Sequence, residues 1–178
     1  MRLIRRYPEP GATGNCIEVG HHQTAVEYAI AGIEKLHDAN LDQLGRDPFN
    51  SEMEGTMRDW VIESLLQGAY LREYHLWEKD CKAYFIAMAE RNGATTTMKT
   101  KGTQSFPDLV KETLVSYDVT VPVDILDAVD RMRVKINDMK HAAGLELDHF
   151  ISAKDYAEAV AALEGFWMHL AGFERMAW

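Results

Sequence analysis

The chain has few of the features that mark secreted, membrane-spanning or nucleic-acid-coating proteins. It carries only two cysteines among 178 residues, which is too few for a disulfide framework and favours reduced thiols. No run approaches the roughly 18 consecutive apolar residues that a membrane helix needs. The net charge of −9 argues against a protein that coats nucleic acid non-specifically. We therefore expect a cytoplasmic protein with no membrane partner.

The N-terminal segment, "MRLIRRYPEPGATGNC", is basic but lacks the apolar core of a signal peptide. Residues 1–21 hold two prolines and three of the twelve glycines, so we expect an irregular lead-in there. The rest of residues 1–178 is predicted to form a single helical domain, because this length suffices for one full core. His21 and His22 precede the first periodic segment, and we expect both to be solvated.

Apolar residues recur at helical spacing through most of the chain, which predicts an all-α bundle of about five helices. Thr24 and Glu27 have capping-box spacing at the start of the first predicted helix. The second, over about 52–92, is unusually long and would be the central helix. We expect the apolar stripe of this helix to face the core; its first stretch is Met57, Trp60, Val61, Leu65 and Ala69.

The last three predicted helices have clear start signals. Ser105 is followed by Pro107 in the first turn, and Pro122 opens a helix that we expect to end near Gly144. Ser152 and Asp155 have capping-box spacing at the start of the final helix. "DVTVPVD" between the first two of these helices ends in proline and is predicted to be a linker.

The segment "RMRVKINDMKHAAG", residues 131–144, concentrates four cations, an amide and a histidine in an acidic chain. At about 100° per residue, its helix divides into two faces. The predicted core face is made of Ile125, Val129, Met132, Ile136, Met139 and Ala143. His141 lies nearly opposite, with Asn137 on its side and Arg133 and Lys140 flanking it, whereas Arg131 and Lys135 lie on the other flank.

Asn137 and His141 are an i,i+4 pair, so their side chains can touch. An amide can orient an imidazole, and an imidazole can serve as general acid or base near neutral pH. Neighbouring cations could hold a phosphodiester. A solvated polar helix face that carries an incidental histidine remains the alternative.

Two short motifs have a spacing that is also compatible with a metal site. Asp138 and His141, and Glu146 and His149, have the i,i+3 spacing of carboxylate-bridged di-iron bundles. That architecture places its motifs on different helices, whereas these lie eight residues apart with Gly144 between them. A metal-binding bundle is therefore a lesser alternative, and we predict neither a metal nor a cofactor.

The C-terminal third resembles HEPN (higher eukaryote and prokaryote nucleotide-binding) domains, which are α-helical bundles. The resemblance rests on "RVKINDMKHAAG", then "LDHFISAKDY", then "AEAVAALEGFWMHL". "WVIESLLQGAYLREYHLWEKDCKAYF" also resembles the family's long central helix. The hallmark of these domains is an arginine, a polar residue and, a turn later, a histidine near the end of a helix. Asn137 and His141 match the last two.

What the resemblance implies is a metal-independent endoribonuclease whose site is built by two protomers. His141 would be the general base or acid, Asn137 would orient it, and Arg133 or Lys140 would hold the phosphate. The family arginine is absent, because Ile136 stands immediately before Asn137. Arg133 leaves seven residues before the histidine, and Lys135 has tolerable spacing but lacks the planar guanidinium fork.

Three readings of the chain's function remain open. The first is a HEPN-like homodimer that cleaves or binds RNA or a nucleotide, of a toxin–antitoxin or phage-defence type. The second is a non-catalytic helical protein that serves dimerisation or a protein partner. The third is the metal-binding bundle.

Overall fold

The computed structural model describes residues 11–141 and 150–177, with side chains described as far as Gly172. These residues form an all-α bundle with no strand, as predicted. The five helices are α1 (Ala12–Leu44), α2 (Pro48–Arg91), α3 (Phe106–Ser116), α4 (Val123–His141) and α5 (Ala153–Ala177).

The start of α1 differs from the prediction. The helix begins at Ala12, so the expectation of irregular chain was wrong from that residue onward, and residues 1–10 lie outside the described part. Ala12 and Val19 are buried in the core, and this tertiary packing overrides the weak helix preference of the nearby glycines. Thr24 is no cap, because its hydroxyl donates to the Gly20 carbonyl within the helix.

The predicted starts of α3 and α5 are confirmed. Ser105 caps α3 in a complete capping box with Asp108, and the hydrogen bond from the Ser105 side chain lowers the pKa of Asp108. At α5 the Ser152 backbone and hydroxyl donate to Asp155 at 2.9 and 2.6 Å, and the Asp155 backbone donates back to Ser152 Oγ. The predicted end near Gly144 lies outside the described residues.

The central helix α2 carries the middle of the core. Trp77 meets the rings of Phe106 in α3 and Phe166 in α5 edge-on, with centroids 5.6 and 5.5 Å apart. Tyr84 meets Trp167 in the same way at 6.0 Å. Edge-to-face packing of this kind adds to the gain from burial. Apart from Leu41 in α1 and Ala89 in α2, the buried apolar side chains of the described residues belong to one cluster.

The described helices divide into two regions. We call residues 24–65, the second half of α1 and the first part of α2, the arm, and the remaining helical residues the body. Within the arm only Leu41 is buried. Met57, Trp60 and Val61 are exposed, so the prediction that they face the core was wrong.

The arm is an antiparallel helical hairpin with a well-capped tip. Gly45 ends α1 with φ of 87°, a left-handed conformation that glycine adopts without strain. Asp47 caps α2 by accepting from the Asn50 backbone. The Asn50 amide donates to the carbonyls of Leu44 and Gly45. None of the helices in the described ranges has an apolar stretch of the length needed to span a membrane.

Candidate functional site

α4 is held against the body by the side that its sequence predicted. Val129, Met132 and Ile136 are buried, and Ile125 and Met139 are partly buried against the same cluster. Ala143 lies outside the described residues. The burial of Ile136 matters most, because Ile136 stands where the HEPN resemblance would place an arginine and its side chain is buried.

The opposite side of α4 presents the candidate motif to solvent. Asn137, Lys140 and His141 are all exposed, and His141 is the last residue of the helix. Asn137 and His141 are one turn apart on the same face, with about 6 Å between them along the axis. The structure thus brings the amide, the imidazole and one cation to the C-terminal end of α4.

Arg133 is directed elsewhere. Its Nε donates to Asp130 Oδ1 at 2.8 Å in an i,i+3 ion pair, and this hydrogen bond raises the pKa of Arg133. His141 comes eight positions after Arg133, which corresponds to about 12 Å along the helix axis. Arg133 therefore lies apart from the imidazole, with its guanidinium engaged by a carboxylate.

The other two cations occupy the opposite flank, as predicted. Lys135 Nζ lies 2.9 Å from Asp155 Oδ1 at the start of α5. Although burial opposes it, hydrogen bonds from Ser152 and Lys135 lower the pKa of Asp155 to about 2. Arg131 and Lys135 line a groove of about 180 Å³ between α4 and α5 that also includes Tyr70. This groove is separate from the exposed Asn137–His141 face.

A buried polar pair was missed by the sequence interpretation. His22 is buried, although we expected it to be solvated, and its Nδ1 lies 3.1 Å from Glu73 Oε1 on α2. Arg72 Nη2 lies 3.0 Å from the other ring nitrogen, an arrangement in which the guanidinium donates to Nε2 and Nδ1–H donates to Glu73. Burial raises the pKa of Glu73, and the hydrogen bond from His22 and the charge of Arg72 oppose that rise.

One signal in the sequence could have suggested this pair. Glu73 stands four residues before Trp77 and three after Tyr70, on the face of α2 that packs into the core. A carboxylate at such a position needs a partner, but nothing local identifies His22, which is 51 residues away. A narrow cavity of about 10 Å³ adjoins the pair and is also lined by Asp80, whose pKa is raised by burial.

The metal alternative gains no support from the geometry of the described residues. Among them, no group of three or more His, Cys, Asp or Glu side chains is placed to hold a metal ion. Asp138 and His141 are exposed at the end of α4. Glu146 and His149, the other predicted motif, lie outside the described residues.

Comparison with known proteins adds no further constraint: no family model, no curated protein and no solved structure matches the chain.

Proposed function

We propose that the chain is a HEPN-like protein that binds single-stranded RNA at the C-terminal end of α4 and cleaves it without a metal. His141 is the reactive group, Asn137 positions its ring, and Lys140 contacts the phosphate. Arg133 contributes less to phosphate binding than the arginine of the resembled family would, because Arg133 is paired with Asp130. Ile136, which stands where that arginine would be, is buried.

The observation that carries the proposal is the exposure of one compact polar set. Asn137, Lys140 and His141 face solvent within the last turn and a half of α4, while Ile136 anchors the opposite side. An RNA strand could therefore reach the histidine without any rearrangement of the core.

The chemistry assigned to this set is an internal transfer. His141 takes the proton of the ribose 2′-hydroxyl, whose oxygen attacks the adjacent phosphorus. The bond from phosphorus to the 5′-oxygen breaks, that oxygen takes the proton from His141 through water, and the products carry a 2′,3′-cyclic phosphate and a 5′-hydroxyl. Lys140 offsets the negative charge that develops on the phosphoryl oxygens. A second protomer, as in the resembled family, would bring another Lys140 but the same Ile136.

The test is cleavage of end-labelled single-stranded RNAs in EDTA. We expect the wild-type chain to give products that end in a cyclic phosphate, and His141→Ala to slow cleavage by about 10²–10⁴-fold. His169→Ala is the matched control, since His169 is exposed on α5 toward the end remote from Asp155 and Lys135. Intact RNA with wild-type protein, or equal rates for all three proteins, would contradict the nuclease assignment.

RNA binding without cleavage has its own signature. Binding of a single strand weakens with salt in proportion to the phosphates contacted, with a slope of about 0.7 per contact. Lys140→Ala should lower that slope by about 0.7. An unchanged slope would remove Lys140 from the interface.

A non-catalytic interaction protein is the second candidate. It is favoured by the exposed apolar side chains of the arm, which a nuclease site on α4 does not require. In that case, His141→Ala folds normally and retains partner binding, while neither RNA cleavage nor RNA binding is observed.

A further inference from the structure

Four large apolar side chains form an exposed row along the arm portion of α2. Phe49, Met53, Met57 and Trp60 are 71%, 46%, 52% and 59% exposed. Their spacing of four, four and three residues places them on one face of the helix. We call this row the α2 stripe.

The α2 stripe faces away from α1. Ile62 and Leu66, which belong to or pack against the core cluster, mark the side of α2 that meets the rest of the bundle. At 100° per residue, the stripe is centred about 180° from Ile62. The arm therefore has one apolar face that pairs its two helices and a second that meets solvent.

The exposed area suits a single docked helix. A fully buried aromatic side chain covers 150–250 Å², so four side chains about half exposed leave roughly 400 Å² of apolar surface. A stable protein–protein interface buries about 800 Å² on each partner. The stripe alone falls short of what a dimer needs, but it matches the apolar face of one amphipathic helix.

The charge around the stripe indicates what such a helix must carry. Residues 34–63 hold eight acidic and three basic side chains. Both arginines of the arm are already paired, Arg46 with Asp42 and Arg58 with Asp59. Helical spacing places Glu52, Asp59 and Glu63 along one edge of the stripe.

A second copy of the chain would not bring positive charges to this acidic edge. Antiparallel pairing of two α2 stripes about a two-fold axis sets the same edge of each helix side by side. Carboxylates would then face carboxylates, which is unfavourable. A helix with lysines or arginines along one side would instead meet Glu52 and Glu63 with opposite charge.

We propose that the α2 stripe is the docking surface for a cationic amphipathic helix of a partner protein. The partner's apolar residues, at i, i+4 and i+7 or i+8, pack on the stripe as the side chains of two neighbouring helices pack against each other. Its cations lie along this edge, opposite Glu52 and Glu63, and fix its orientation. This surface is separate from the candidate site on α4, and the inference goes beyond the proposed function.

The test uses two synthetic helical peptides of about 20 residues, long enough to form helix in water. Both carry the same leucine face, and their polar positions are lysine in one and glutamate in the other. Binding of the labelled peptides to the full chain is followed by fluorescence anisotropy. We expect the lysine peptide to bind at least about tenfold more tightly than the glutamate peptide.

Variants of the chain assign that binding to the stripe. The double variant Met53→Gln, Met57→Gln should weaken the lysine peptide by about tenfold or more. The control is Met168→Gln, at an exposed methionine on α5, which should leave binding unchanged. The pair Glu52→Gln, Glu63→Gln should weaken binding and lower its salt dependence.

Several outcomes would overturn the proposal. Equal affinity for the two peptides would reduce the stripe to non-selective apolar surface. No loss of binding in the methionine double variant would place the peptide elsewhere. Sedimentation equilibrium tests whether a second copy of the chain occupies the stripe. A wild-type dimer that becomes a monomer in the methionine double variant would show that it does. Circular dichroism should show full helix content in every variant, since none of the substituted side chains is buried.

Discussion

α2 is one continuous helix that serves two regions with opposite relations to solvent. In the body, Trp77 is 2% exposed and is enclosed by rings from α3 and α5. In the arm, Trp60 on the same helix is 59% exposed. The two regions have similar apolar periodicity, so the pattern predicts that a helix has an apolar face but not which element covers it.

The largest expected difference between the regions is in the free energy of unfolding. Trp77→Ala should lower it by about 3–5 kcal/mol, because a large cavity opens in the body. Trp60→Ala should change it by no more than about 0.5 kcal/mol, as expected for an exposed position. Urea unfolding followed by circular dichroism measures both. Comparable losses in the two variants would mean that the arm is part of the same packed core.

A second test compares two adjacent histidines of α1. His22→Leu leaves the Glu73 carboxyl buried without its partner and should cost about 3 kcal/mol or more at neutral pH. His21→Leu is the control, because His21 is exposed and its replacement should cost no more than about 0.5 kcal/mol. Thermal unfolding of both variants at the same pH provides the measurement. If the two losses are equal, the His22–Glu73 contact contributes nothing particular to the body.

The smallest effect is a pH dependence that belongs to the body. Burial raises the pKa of Glu73 above its ordinary value of 4.5, so the folded chain holds this proton more tightly than the unfolded chain. The contribution of protonated Glu73 to the free energy of unfolding is fully present below pH 4.5. It is lost as the pH rises through the pKa that Glu73 has in the folded chain. Glu73→Gln should flatten that decline in denaturant titrations at several pH values.

The control for the Glu73 titration is an exposed carboxyl in the same protein. Glu112 is exposed on α3, and Glu112→Gln should keep the wild-type dependence of stability on pH. An identical decline in the Glu73 variant would assign the dependence to other groups.

Features that depend on neighbouring residues were predictable from the sequence. The caps at Ser105 and Ser152 use partners three residues away, and the core side of α4 follows from its period, as the burial of Ile136 confirms. The ion pair between Arg133 and Asp130 also has a local spacing. It could have been anticipated as a competitor for the arginine at the proposed site.

Features that depend on distant residues were not predictable. The partner of His22 lies on another helix, and no local pattern relates the two. The early start of α1 could not be predicted, because no local pattern shows that Ala12 and Val19 are buried in the core. Likewise, Met57 and Trp60 continue the apolar spacing of α2 past the end of the body. The sequence interpretation assigned them to a core that does not extend so far.

The capped tip of the hairpin has a mechanical consequence. Asp47 and Asn50 tie the turn to the ends of both helices, and α2 then runs without interruption for 44 residues, about 66 Å. No break in α2 therefore separates the tip of the arm from the body. A load applied near Phe49 would be transmitted along one rigid rod to the turns that carry Glu73 and Trp77.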